Sequence, residues 1–142
     1  MTRSALAIDH GNRRTGFAVA DPLRIVTQPL DRFEGDQRAD LLDHIADMLE
    51  ERDVDVFVIG LPFNMDGSEG PRAAEVRAFG QELKQRFPRI AVAYQDERLS
   101  TKAAEELLRE QGITGEARKR YRDSASAMVI LRDWIEAGEP RE

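Results

Sequence analysis

The sequence predicts an α/β protein built on one mixed sheet with helices on both faces. Two strand-like runs open the chain, "ALAID" at 5–9 and "TGFAVA" at 15–20, joined by a short polar turn that contains glycine. Later apolar runs, "VDVFVIG" at 54–60 and "IAVAYQDE" at 90–97, alternate with amphipathic helical stretches. An antiparallel start followed by alternating strands and helices requires a mixed sheet, and short right-handed crossovers cover both of its faces. With 142 residues, the chain is most simply one domain over 1–142, long enough to bury a proper core.

Each element follows from a local pattern. In the first strand Leu6 and Ile8 alternate with Ala5, Ala7 and Asp9, so the two sets face opposite sides. The second strand completes a hairpin. A third extended segment covers "RIVTQPL" at 24–30, with Pro29 marking an edge strand or its end. From Asp36 to about Arg52, Leu41, Leu42, Ile45, Met48 and Leu49 form one helical stripe. The near-continuous apolar run at 54–60 reads as a parallel strand covered on both faces. "LPFNMDGSEG" is then a loop, and Pro71 opens a helix whose inner face carries Val76, Phe79, Leu83 and Phe87. After the strand at 90–97, Ser100 or Thr101 caps a helix through Leu108 that stops near Gly112. "GITGEARKRYR" reads as a loop, and a last helix runs from about Asp123 to Ala137 with Ala127, Ile130, Leu131 and Trp134 inward.

Lys and Arg total 21 and Asp and Glu 27, a formal net charge of -6. That balance argues against a protein that coats nucleic acid, because non-specific binding is driven by phosphate neutralisation. Local basic rims remain: Arg13 and Arg14 follow the first strand, and "RKRYR" at 118–122 has four basic residues in five, a run that equally fits a solvated face. With no cysteine there is no disulfide and no thiolate metal site. No apolar run is long enough for a signal peptide or a membrane span, so a soluble cytoplasmic protein with no membrane partner is expected. The sequence shows no evident dimer surface, and a monomer or weak homodimer is the expectation.

Chemistry concentrates at one edge. Open α/β sheets bind ligands beyond the carboxyl ends of their parallel strands. The loop after Gly60 and "DER" at 96–98 fall there, and Asp9 closes the first strand at the same edge. Asp123 precedes Ala127, Ile130 and Leu131 at helical spacing and so shares the last helix's inner stripe. Singly, each has an ordinary reading: Asp123 as an acid favoured near a helix N-terminus, "DER" as a salt-bridged strand end, Asp9 as a hydrogen-bonded structural residue. Jointly they point elsewhere. Carboxylates meeting within about 4–5 Å repel by roughly 4 kcal/mol per pair at an effective dielectric near 20. A hard divalent ion such as Mg²⁺ or Mn²⁺ removes that repulsion. Zinc is disfavoured, because only His10 and His44 are available and neither has ligand spacing; His44 reads as a half-buried helix residue, and His10 as one that could reach the site.

"AIDHGNRRTGFAVAD", "VIGLPFNMDGSEGP", "DERLST" and "DSASAMVIL" resemble, in order and spacing, the signatures of the YqgF/RuvX family, Holliday-junction-resolvase-like proteins proposed to be pre-16S rRNA nucleases. The likeness runs from about residue 5 to 135, with Ala7 where members commonly have glycine. It implies an RNase H-like mixed five-stranded sheet and a metal-dependent triad, here Asp9, Glu97 and Asp123, holding Mg²⁺ or Mn²⁺. Of the neighbours Asp96 and Glu97, which point to opposite faces of a continuing strand, the longer Glu97 is the expected ligand and Asp96 an orienting residue. The implied activity is hydrolysis of RNA phosphodiester bonds in maturation of the 16S rRNA precursor during ribosome biogenesis. Gly11 then lets the backbone approach substrate, Arg13, Arg14 and Arg98 contact phosphates, and Asn64 and Ser68 bond sugar or phosphate from a loop whose Gly67 and Gly70 make it a flap. Tyr121 in the basic run stacks on a base. The acidic net charge implies weak affinity for RNA alone, with a ribosomal particle or an accessory factor presenting the precursor. Three other readings stay open: cleavage of branched DNA, phosphate gripping as in actin-like ATPases and sugar kinases, which need a second domain, and a non-catalytic nucleic-acid-binding module acting in transcription.

Overall fold

The computed structural model describes residues 3–97 and 100–141. Its elements are β1 (Ser4–Asp9), β2 (Arg14–Ala20), β3 (Thr27–Glu34), α1 (Arg38–Glu51), β4 (Val54–Leu61), α2 (Pro71–Arg86), β5 (Ala91–Asp96), α3 (Ser100–Glu110) and α4 (Gly115–Glu136). They form one five-stranded sheet in the order β3-β2-β1-β4-β5. The β1–β2 and β2–β3 pairs are antiparallel, and β1–β4 and β4–β5 are parallel, which is the mixed sheet expected. Among the described residues no helix is long and apolar enough to cross a membrane.

Helices cover both faces, and the faces differ in side-chain size. Leu6, Ile8, Phe17, Val19, Phe57 and Ile59 pack under α1 and α2, against Leu41, Ile45, Val76, Phe79 and Leu83. Ala5, Ala7, Ala18, Ala20, Val56, Val58 and Ala93 face α3 and α4, against Leu108, Ala127, Met128, Leu131 and Trp134. Each large side chain buried this way contributes about 1.5–3 kcal/mol. Small residues on the second face let the backbone of α4 approach the strands closely.

Two elements differ from the sequence reading. The third strand lies at 27–34 rather than 24–30, because residues 21–26 form a turn. There the Asp21 carboxylate accepts the N–H groups of Leu23, Ile25 and Val26, while Arg24 takes a positive φ of 58°. Pro29 sits inside β3, which is an edge strand and tolerates the missing donor. The cap expected of Ser100 or Thr101 rests on side chains outside those described. The segment 112–122 is largely helix: α4 starts at Gly115, so Asp123 lies in its third turn rather than its first. Arg and Lys are good helix formers, and a solvated basic run is compatible with a helix surface. That run does not make one rim. Arg120 pairs with Asp31 of β3 at 2.5 Å, Tyr121 packs against the core, and Arg118 and Arg122 border a cleft with α3.

One buried side chain anchors α4. A register shift between Thr15 and Phe17 breaks the β2–β3 ladder, and the freed N–H of Phe17 donates to Ser124 Oγ at 3.1 Å. The same hydroxyl donates to the Leu30 carbonyl at 2.6 Å. Ser124→Ala leaves both backbone groups without that partner and should destabilise the protein by about 1–3 kcal/mol, read as a lowered urea midpoint at unchanged slope.

Candidate active site

Asp9 ends β1 on the face that α4 covers. In register, Asp9 pairs with Gly16 of β2, and Ile8 pairs with Ile59 of β4, so Gly60 follows on Asp9's other side. A side chain at either glycine would fill the site. A β-carbon at Gly60 would strike Ile130 and lie 2.7 Å from Glu97 Oε2, and one at Gly16 would strike the Asp123 carbonyl. The glycines on the two strands flanking Asp9 thus make the space that Glu97 and α4 enter.

Glu97 stands one residue beyond β5, its N–H bonded to the Leu61 carbonyl at 3.3 Å. Its carboxyl group hydrogen-bonds Asp9. Burial first, then the Asp9 charge and that hydrogen bond, push the Glu97 carboxyl up to about 8. Burial also raises Asp9, as does the charge of Asp123, opposed by the Glu97 hydrogen bond and by Arg72. The pair therefore shares a proton at neutral pH. Asp96 adds to the upward push on Glu97.

Asp123 is close enough for its charge to act on Asp9, and its Oδ2 lies 3.2 Å from Arg32 Nε. Arg32 also pairs with Glu34 at 2.5 Å. Among the described residues no three acidic or imidazole groups converge tightly enough to hold a metal ion. The structure brings Asp9 and Glu97 into contact and leaves Asp123 on Arg32. The donor set nonetheless fits a hard divalent ion: two contiguous carboxyl groups, half-buried, whose mutual repulsion is met by a proton that a cation would replace.

Arg72 is the residue that sequence reasoning missed. It donates to the His10 carbonyl, to Glu75 at 2.7 Å and to Asn12 Oδ1 at 3.4 Å, and its charge lowers both Asp9 and Glu97. The signal was present, since a βα unit sets the helix N-terminus at the carboxyl end of its strand, and Arg72 follows Pro71 there.

The other expected contacts divide. A β-carbon at Gly11 would strike the Arg14 carbonyl, so the tight turn itself demands glycine. Arg13 and Arg14 are exposed beside it, with Arg14 3.8 Å from Glu34. Asn64 and Ser68 bond each other at 2.9 Å, Ser68 Oγ donates to Asp66 at 2.6 Å, and Phe63 bridges Glu69. The loop is cross-braced rather than built as a free flap. Arg98 lies outside the described residues. His10 points to the opposite side of the sheet from Asp9, stacked on Phe79 at 4.4 Å, and burial first, then Arg38 and Arg72, lower it to about 4. It stays neutral and does not join the carboxylates. His44 sits on α1 beside the Phe17 and Phe33 rings.

A family model described as RuvX, Holliday junction resolvase, matches residues 3–137. A protein of Streptococcus equi subsp. equi (strain 4047), named as a proposed pre-16S rRNA nuclease, is 37% identical over 134 residues, spanning 92% of this chain and 96% of the relative. One of Streptococcus suis (strain 05ZYH33), named alike, is 36% identical over 137 residues, with the same coverage of 92% and 96%. Among solved structures, T. thermophilus RuvC in complex with a Holliday junction substrate aligns with a TM-score of 0.63 at 14% identity, over 98% of both chains. Fowlpox virus resolvase with Holliday junction DNA aligns at 0.60 and 13% identity, over 96% of this chain and 99% of that one. These structural likenesses carry the fold, which is RNase H-like.

The shared proton has a thermodynamic consequence. Glu97 holds its proton up to about 8 when folded but only to its ordinary 4.5 when unfolded, so the folded state binds more protons in between and stability falls as pH rises through that window. His10 opposes this only below its ordinary 6.5. Metal-free protein should therefore lose stability between pH 6.5 and 8, with a slope on the order of 1 kcal/mol per pH unit. Melting curves across that range should flatten in Glu97→Gln, and added Mn²⁺ should raise the melting temperature more at the alkaline end.

Proposed function

The chain belongs to the RuvX family, described as Holliday junction resolvases, and from that premise we propose that it hydrolyses phosphodiester bonds in RNA, maturing the 5′ end of the 16S rRNA precursor during ribosome biogenesis in the cytoplasm. The observation that carries the chemistry is the proton-sharing Asp9–Glu97 pair at the carboxyl edge of parallel strands, with Asp123 within electrostatic reach. The relatives named as proposed pre-16S rRNA nucleases support the substrate.

Asp9 and Glu97 are the residues that would hold Mg²⁺ or Mn²⁺, and Asp123, paired with Arg32 in this structure, would be the third carboxylate of the set. When bound, such an ion supplies an activated water and stabilises the leaving oxygen. The chain's own residues do the rest. Asp9 and Glu97 would give up their shared proton to solvent and present charged oxygens to the ion. Arg72, held by the His10 carbonyl and Glu75 with its charge on both carboxyl groups, orients a non-bridging phosphate oxygen. Gly11 brings the backbone near the strand, Arg13, Arg14 and Arg98 meet flanking phosphates, and Asn64 and Ser68 brace the loop that borders them.

With a net charge of -6, attraction to naked RNA is weak, so the substrate is precursor RNA presented within a ribosomal particle. A second reading, cleavage of branched DNA, is favoured by the family's description and the resolvase likenesses. Symmetric junction cleavage needs two sites and hence a dimer.

Mn²⁺-supported cleavage of a precursor 16S rRNA fragment, alone and in a precursor particle, is compared with cleavage of a four-way DNA junction. RNA should be cut, faster in the particle, and the junction left whole; the reverse preference would replace the substrate. Asp9→Asn should lose at least about a thousandfold in rate at an unchanged or raised melting temperature, and undiminished cleavage by it would overturn the mechanism. Arg72→Ala should cost about a hundredfold in kcat.

A further inference from the structure

A cleft of about 400 Å³ opens along the seam between α3 and α4, with Leu108 and Ala125 in its floor and Arg118, Arg122, Ser126 and Glu105 around it. Its α4 residues form one stripe, since 118, 122 and 126 follow at four-residue steps. The stripe runs into the carboxylate site: Ser126 stands three residues after Asp123, which makes the two neighbours on the helix surface. From the other wall, α3 starts three residues after Glu97.

The cations of this cleft are unlike those elsewhere on the molecule. Arg38 pairs with Glu82, Arg77 with Glu69 and Arg86 with Asp43. Within the basic run itself, Lys119 pairs with Glu116 and Arg120 with Asp31. Among the described residues Arg118 and Arg122 have no acidic partner, and Glu105 across the cleft makes no ion pair with either. Two arginines four residues apart repel each other on a helix surface, and an anion lying between them removes that repulsion. Their spacing of about 6 Å along the helix axis is close to the separation of successive phosphates in a strand. Each guanidinium can meet one phosphate with two parallel hydrogen bonds, and the Ser126 hydroxyl can donate to the next oxygen.

We infer that the α3–α4 cleft holds the sugar–phosphate backbone of an RNA strand, with Arg118 and Arg122 on consecutive phosphates and Ser126 on the side nearest Asp123. The inference rests on the nuclease reading above and gives the path of the strand away from the scissile bond. Glu105 weakens this grip, since it brings a carboxylate to a phosphate path.

The test is fluorescence anisotropy of a labelled oligouridylate with the full chain in EDTA, where no cleavage competes, repeated over a series of salt concentrations. Replacing both arginines, as Arg118→Ala with Arg122→Ala, should weaken binding about tenfold and lower the salt slope by about 1.4, the value for two phosphate contacts on a single strand. The melting temperature should hold or rise, because alanine favours the helix and the repulsion is gone. Glu105→Gln should tighten binding, and Arg89→Ala, an exposed cation just before β5 at the opposite sheet edge, should change nothing. Wild-type affinity and slope in the double variant, an equal loss in Arg89→Ala, or equally tight binding of poly-glutamate or inorganic phosphate would overturn the assignment. Binding through the cleft with no Mn²⁺-dependent cleavage would retire the nuclease reading and leave the cleft standing; cleavage with full affinity in the double variant would do the reverse.

Discussion

The close approach of α4 to the sheet is the constraint on which the rest depends. It exists because the strand residues beneath α4 are small: Ala5, Ala7, Ala18, Ala20 and Ala93, with Gly16 and Gly60 at the edge where the site lies. A β-carbon at Gly16 would meet the helix backbone itself, at the Asp123 carbonyl and Ser124, so this contact sets how near Asp123 can come to β1. The Ser124 hydroxyl then fixes the helix along the sheet by bonding both Phe17 and Leu30. Ala7, where the family commonly has glycine, is fully buried under the helix and tolerated, since the critical approaches fall at positions 16 and 60.

Close approach gathers acids, and the molecule meets their repulsion internally. Asp9 and Glu97 share a proton, Arg72 acts on both, and Arg32 takes Asp123 together with Glu34. The arginines on the neighbouring rim are matched likewise, Arg14 with Glu34 and Arg120 with Asp31. Exposed pairs of this kind contribute little to stability, typically under about 1 kcal/mol each. They can exchange a carboxylate for a phosphate at small cost, which is how a chain with a net charge of -6 can still meet a polyanion.

What the sequence made legible was whatever repeats or alternates. The period-two pattern of β1 separated Leu6 and Ile8 from Ala5, Ala7 and Asp9, and the two sets do pack on opposite faces. The stripes of α1 and α2 were readable for the same reason. The start of α4 was not, because its first two turns are solvated and basic and carry almost no apolar periodicity. The boundary of β3 was hidden by the Asp21-capped turn, whose apolar residues mimic a strand. At the candidate site, proximity of Asp9 and Glu97 followed from strand-end topology. The engagement of Asp123 by Arg32, and the whole role of Arg72, depend on long side chains crossing between elements, which no local pattern encodes.

The end of β1 divides the molecule's chemistry between two faces. Asp9 turns toward α4 and Glu97; His10, the next residue, turns toward Phe79 and the groove at the N-terminus of α1. Among the described residues Arg72 reaches both, donating to the His10 carbonyl while its charge acts on both carboxyl groups. The guanidinium is thus placed by the His10 carbonyl, Asn12 and Glu75, so the geometry of the turn after β1 sets where the cation beside the two carboxyl groups stands.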